Sequence, residues 1–193
     1  MPDPVRIDDH ALDNLRYIRE AMERSAAFTS IPGWGGVVIG ATALAATAIA
    51  GQTEPRWWMI VWLAEAVVAA AVGVISMVLK ARRAQTPFMS GAARRFFVSY
   101  SAPLIAGALL TWGIAAAGRY ELLPGLWLLL YGTAFVSSGA FSIRVIPVMG
   151  VCFMVLGCAA LLVPFPVGNW LMGAGFGGLH LIFGFLIARS YGG

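Results

Sequence analysis

The stretch Gly173-Ala-Gly-Phe-Gly-Gly-Leu-His180-Leu-Ile-Phe-Gly184 decides how the rest of the chain is read, because it is apolar throughout and carries a single titratable side chain. At about 100° per residue, Gly173, Gly177, His180 and Gly184 fall in one helical stripe about 60° wide. Glycines on such a stripe let a neighbouring backbone come close, and in lipid that packing is a main source of helix association. The stretch therefore predicts a membrane-crossing helix with His180 turned into a helix contact. A polar residue so placed is the first functional candidate in the chain.

Runs of the same kind recur outward from it. The chain has 193 residues, 60% hydrophobic and 11% charged, whereas a soluble domain carries about 25% charged residues. A bilayer core of about 30 Å is crossed by about 20 helical residues. Six runs answer to that need: Pro32 to Gly51, Trp57 to Leu79, Phe96 to Gly118, Leu126 to Phe141, Pro147 to Val163, and a last one entered through the turn Pro164-Phe-Pro-Val-Gly-Asn169 and ended by Arg189. Trp57 and Trp58, at the start of the second run, suit an interfacial belt. The fold expected is all-α: a polytopic membrane protein with a six-helix transmembrane bundle over residues 31–193 and a cytoplasmic amphipathic segment over residues 1–30. The opening Met1-Pro-Asp-Pro-Val-Arg-Ile-Asp-Asp9 lacks the basic start and short apolar core of a cleavable signal, so insertion is expected to rely on the helices themselves.

Charge sets the orientation. Of 13 Lys and Arg residues, all but Arg56 and Arg119 fall on the side of the 80–95 connection and of both termini. The positive-inside rule then puts both termini in the cytoplasm of a cell membrane, with short outer linkers that leave no room for an external domain. The net charge of +4 is spread between apolar runs and forms no basic domain with interleaved aromatics, so nucleic acid is not an expected partner.

Two segments are offered to the cytoplasm. Over residues 9–27, Ala11, Leu15, Ile18, Met22 and Ala26 share one helix face opposite Asp13, Arg16, Glu20, Glu23 and Arg24. Residues 80–95 form the longest connection and carry five basic residues and no acid. Together they are the expected contact with a cytoplasmic protein partner, beside the lipid bilayer itself. Small-residue faces, Gly36 and Gly40 on the first helix and Gly173, Gly177 and Gly184 on the last, are expected to pack helices and to offer a route to a homo-oligomer. A short echo, Ile31-Pro-Gly33 before Gly40-Ala-Thr42 and Leu123-Pro-Gly125 before Gly132-Thr-Ala134, does not continue into the following helices.

Chemistry has few places to sit. Glu65 is the single acid inside a span, and counted from Trp57 and Trp170 it lies about 12 Å deep, with His180 about 15 Å deep. The two are expected to meet as an intramembrane polar pair, either a structural clasp or a proton site. Trp127, Tyr131, Ser138 and Ser142 form the most polar helix face. Gly177-Gly-Leu-His180 with Ser137-Ser138-Gly139 resembles the rhomboid intramembrane proteases, but Val136 stands where that motif has its first glycine, and the second helix supplies no His or Asn. Haem ligation by His180 lacks a partner, since the other histidine is His10. Cys152 and Cys158, six apart on one helix, cannot pair with each other. No metal and no cofactor are expected, and no enzyme motif is present. The functional expectation is interaction or sensing at the cytoplasmic face, with a proton-coupled small-molecule carrier using Glu65 and His180 as the alternative.

Overall fold

The computed structural model of the chain describes residues 12–17, 27–85 and 89–192, and among these the regular structure is helical. Six helices are long and apolar enough to cross a membrane: α1 Gly33–Ala50, α2 Pro55–Arg83, α3 Gly91–Ala116, α4 Leu123–Gly139, α5 Val145–Leu162 and α6 Phe165–Tyr191. A short 3₁₀ turn, Tyr120–Leu122, leads into α4. Residues 12–17 form an exposed helical piece, and the remainder of the amphipathic stretch 9–27 lies mostly outside the described residues.

Three boundaries differ from the sequence expectation, each for a local reason. The helix α2 continues through Lys80, Arg82 and Arg83, whose charges complement the negative C-terminal end of a helix dipole. Ser90 caps α3, its Oγ accepting from the Ala93 N–H at 3.1 Å, so Arg94 and Arg95 lie inside a helix. The expected loop 80–95 thus loses residues 80–83 and 91–95 to helices. Likewise the stretch Pro164 to Asn169 is not a turn but the start of α6, because prolines are tolerated in a first turn, whose N–H groups have no intrahelical partner.

Pro103 lies inside α3 and has no N–H to offer the carbonyl of Ser99. The sequence nominates Tyr100 or Ser101 as the substitute donor. The donor is instead Ser137 of α4, whose hydroxyl is shared between Ser99 O at 3.0 Å and Ala134 O of its own helix at 3.1 Å, while Ser101 bonds Val98 O at 3.2 Å. The defect in one helix is repaired by its neighbour.

Two glycine-faced pairs form the rigid part of the bundle. In α4 and α5, a Cβ on Gly132 would stand 2.6 Å from Gly150 O, and one on Gly150 would stand 2.7 Å from Gly132 O. In α1 and α6, a Cβ on Gly40 would stand 2.8 Å from Gly177 O, one on Gly184 2.7 Å from Val37 N, and one on Gly36 3.2 Å from Gly184 Cα. No side chain fits at these points without moving backbone. The glycine faces that the sequence offers to a homo-oligomer are therefore filled within one chain. The two halves of the sequence echo each begin a helix and supply such a face, Gly40 against α6 and Gly132 against α5.

Around the bundle, α2 packs on α1, α1 on α6, α6 on α5 and the start of α4, α5 on α4, and α4 on α3. The consecutive helices α2 and α3 have no extensive contact with each other. The ring is open between them.

At the end that holds Lys80, Arg94 and Arg95, residues before α1 cross the bundle. Phe28 N–H donates to Phe141 O at 2.7 Å and Ser142 Oγ donates to Phe28 O at 2.7 Å. The Phe28 ring, 3% exposed, lies 5.0 Å from Phe96 and 5.6 Å from Phe97. Lys80 ties this crossing to the end of α6, donating to Ile31 O at 2.9 Å and to Gly192 O at 2.6 Å.

Candidate functional site

The open ring encloses a cavity of about 570 Å³ lined from all six helices, within the range of about 300–1,000 Å³ usual for small-molecule sites. Its walls are apolar and aromatic, with Trp62 from α2, Phe96 and Tyr100 from α3, Trp127, Tyr131 and Phe135 from α4, and Phe176 from α6. Ile146 and Met149 of α5 line it from behind. Leu63 and Val74 of α2 line it and are also 43% and 52% exposed. The gap between α2 and α3 is therefore its side opening.

The end remote from Phe28 is closed by a polar cluster hidden among tryptophans. Trp58 Nε1 and Trp62 Nε1 both donate to Asn169 Oδ1, at 2.8 and 3.1 Å, and Asn169 Nδ2 donates to Thr47 O at 3.1 Å. Trp127 Nε1 donates to Thr111 Oγ1 at 2.7 Å, and the Trp58 and Trp127 rings stack at 5.4 Å. Of the two residues expected in an interfacial belt, Trp57 is 60% exposed, whereas Trp58 is 1% exposed and belongs to the interior. Asn169 stands on a helix and not in a turn. Its signal in the sequence is that no other Asn falls within the apolar runs or the turns that join them.

Glu65 and His180 both line the cavity, and each has its own hydrogen-bond partner. Thr42 on α1 donates to Glu65 Oε1 at 2.8 Å. His180 Nε2 lies 2.9 Å from the Tyr131 hydroxyl, and the Tyr100 ring packs edge-on against Tyr131 at 6.1 Å. Among the described residues no hydrogen bond or ion pair joins Glu65 to His180, and the two contacts are separate. His180 Nδ1 is buried without a hydrogen bond of good geometry, beside the carbonyls of Gly175 and Phe176. Those neighbours are acceptors, so they favour the tautomer with its proton on Nδ1.

His180 is the first residue after a break in the α-helical winding of α6. Gly173–Leu179 forms a π segment, in which more residues complete each turn than in an α-helix. Gly173 and Gly177 still face α1, toward Thr47 and Leu44, while a Cβ on Gly175 would meet Leu128 of α4 at 2.5 Å. The segment is clamped on both sides, and glycine is what allows it. The His180 ring packs toward α4 and α5, with Phe153 at 5.5 Å and Phe135 at 6.3 Å between ring centroids.

The polar face of α4 is divided in the same way. Tyr131 goes to His180, Ser138 bonds its own helix at Ala134 O (2.7 Å), and Ser142 holds the Phe28 segment. Neither Ser137 nor Ser138 hydrogen-bonds His180, so no nucleophile-base pair of the rhomboid kind is assembled. Among the described residues no three His, Cys, Asp or Glu side chains cluster as metal ligands. No protein-family model, curated protein or solved structure matches this chain.

Proposed function

We propose that the six long helices cross a cell membrane with the Lys80, Arg94 and Arg95 end in the cytoplasm, and that the chain is a proton-coupled carrier of small, largely apolar molecules. The observation that carries this reading is the cavity of about 570 Å³, reached by both Glu65 and His180 and open sideways between α2 and α3. A structural clasp needs no such space. A side opening at the depth of the spans admits a molecule already dissolved in lipid, and an acid facing the cavity supplies the proton site. The orientation rests on the distribution of Lys and Arg.

The test is uptake of a panel of hydrophobic molecules into vesicles containing the protein, with a pH gradient imposed and internal pH recorded. Gradient-driven uptake that disappears in Ala69→Trp, which fills the cavity, and in Glu65→Gln supports the carrier. Binding without uptake in the wild type removes the carrier and leaves a ligand-binding membrane protein.

A second reading, a partner protein held at the cytoplasmic face, is favoured by Leu12, Leu15 and Tyr17, which are 61%, 63% and 67% exposed. Residues 9–27 and the basic ends of α2 and α3 would form that contact. Deleting residues 1–27 leaves uptake unchanged if this segment serves only a partner.

A further inference from the structure

We propose that the cavity takes a lipophilic monovalent cation, held by Glu65 and the aromatic walls in exchange for the Glu65 proton. The inference rests on the carrier reading and names its substrate class. Three observations carry it. First, among the cavity-lining residues Glu65 is the single charged type, with no Lys, Arg or Asp beside it. The Thr42 hydroxyl from α1 contacts it, and the polar or titratable side chains that line the same cavity are Tyr100 and Thr111 from α3, Trp62 from α2, Trp127 and Tyr131 from α4 and His180 from α6, while α5 contributes Ile146 and Met149. Second, Thr42 engages Oε1 alone, and among the described residues Oε2 has no hydrogen bond. Third, six aromatic side chains, Trp62, Trp127, Phe96, Tyr100, Tyr131 and Phe176, line the same space.

Ring faces are negative and attract cations, most of all those too bulky and weakly hydrated to prefer water, such as quaternary ammonium groups. An anion would meet the carboxylate and the same ring faces and be repelled. In an apolar cavity an ionised carboxylate needs a counter-ion, so the unloaded site holds Glu65 as the neutral acid and the loaded site holds the carboxylate with its cation. Loading therefore releases one proton from Glu65 to water, and charge in the cavity stays balanced. While Glu65 is mostly protonated, the apparent affinity for the cation rises about tenfold for each unit of pH.

Three shape-matched probes separate the possibilities: tetraphenylphosphonium, tetraphenylborate and neutral tetraphenylmethane. Binding to the purified full chain in lipid nanodiscs is followed by quenching of tryptophan fluorescence at several pH values, and proton release is read in weak buffer. The expected result is that the phosphonium binds, releases close to one proton per molecule and tightens as pH rises, whereas the borate does not bind. Glu65→Gln is expected to lose at least tenfold in phosphonium affinity and to keep tetraphenylmethane. Proton release by the wild type needs no variant, so a poorly folding Glu65→Gln does not obscure the answer. Equal binding of phosphonium and tetraphenylmethane without proton release overturns the cation proposal and leaves the cavity reading standing. If none of the three binds, the cavity reading falls with it.

Discussion

The Tyr131 hydroxyl lies 2.9 Å from His180 Nε2, joining the middle of α4 to the end of the π segment in α6. His180 is 5% exposed and its Nδ1 has no second partner, so this contact is the ring's main polar attachment to a different helix. Removing one partner of a buried hydrogen bond leaves the other unsatisfied, at about 1–3 kcal/mol, whereas replacing both with apolar groups of similar shape is nearly neutral. Tyr131→Phe is expected to lower the unfolding temperature of the detergent-solubilised protein, and Tyr131→Phe combined with His180→Leu to recover most of that loss. Circular dichroism during heating reads both. A single variant as stable as the wild type would mean that the contact contributes nothing.

The number and order of helices were legible because six long helices need apolar runs whatever they pack against. The position of His180 was not. A constant rotation per residue puts it with Gly177 and Gly184 against one neighbour, whereas its ring meets α4 and α5, and the π segment before it is packed by α1 on one side and α4 on the other, which a single strand of sequence does not display. The cavity was hidden for a related reason. Ala66, Ala69 and Val74 have the same hydropathy facing a void as facing lipid, so the open edge between α2 and α3 leaves no mark. Phe28 gave little warning either, standing alone among small and polar residues, yet it closes one end of the bundle.

Asn169 accepts from two indoles and donates to Thr47 O, drawing α1, α2 and α6 together at the Trp58 end. Asn169→Leu keeps the volume and removes every polar partner at once. Its expected cost is about 2–4 kcal/mol, from two buried N–H groups left without an acceptor. Trp58 and Trp62 should also move, so a changed emission maximum is expected to accompany the loss of stability. Unchanged emission together with unchanged stability would remove Asn169 as the organiser of this end.

Ser137 repairs the gap that Pro103 leaves at Ser99 O. Ser137→Ala is therefore expected to destabilise the wild type by about 1 kcal/mol and to do little in a Pro103→Ala background, where the helix supplies its own donor. The measurement is a double-mutant cycle on thermal or denaturant unfolding. Additive effects of the two substitutions would mean that the serine and the proline are not linked.

Gly132 and Gly150 approach so closely that a Cβ on either meets the other's carbonyl, at 2.6 and 2.7 Å, and both obstacles are backbone. Backbone cannot turn aside as a side chain does, so even alanine must push α4 and α5 apart along their whole contact. A Cβ on Gly178, which also lies within a helical segment, would have nothing within 4 Å. Alanine raises helix propensity over glycine by about 1 kcal/mol wherever space permits. The two substitutions should thus have opposite signs: Gly178→Ala neutral or stabilising, Gly132→Ala destabilising by about 1–3 kcal/mol through overpacking. Unfolding of both variants in the same detergent is the test. If Gly132→Ala proved as stable as Gly178→Ala, the close approach of α4 and α5 would be wrong, and with it the rigid wall that Tyr131 and Trp127 present to the cavity.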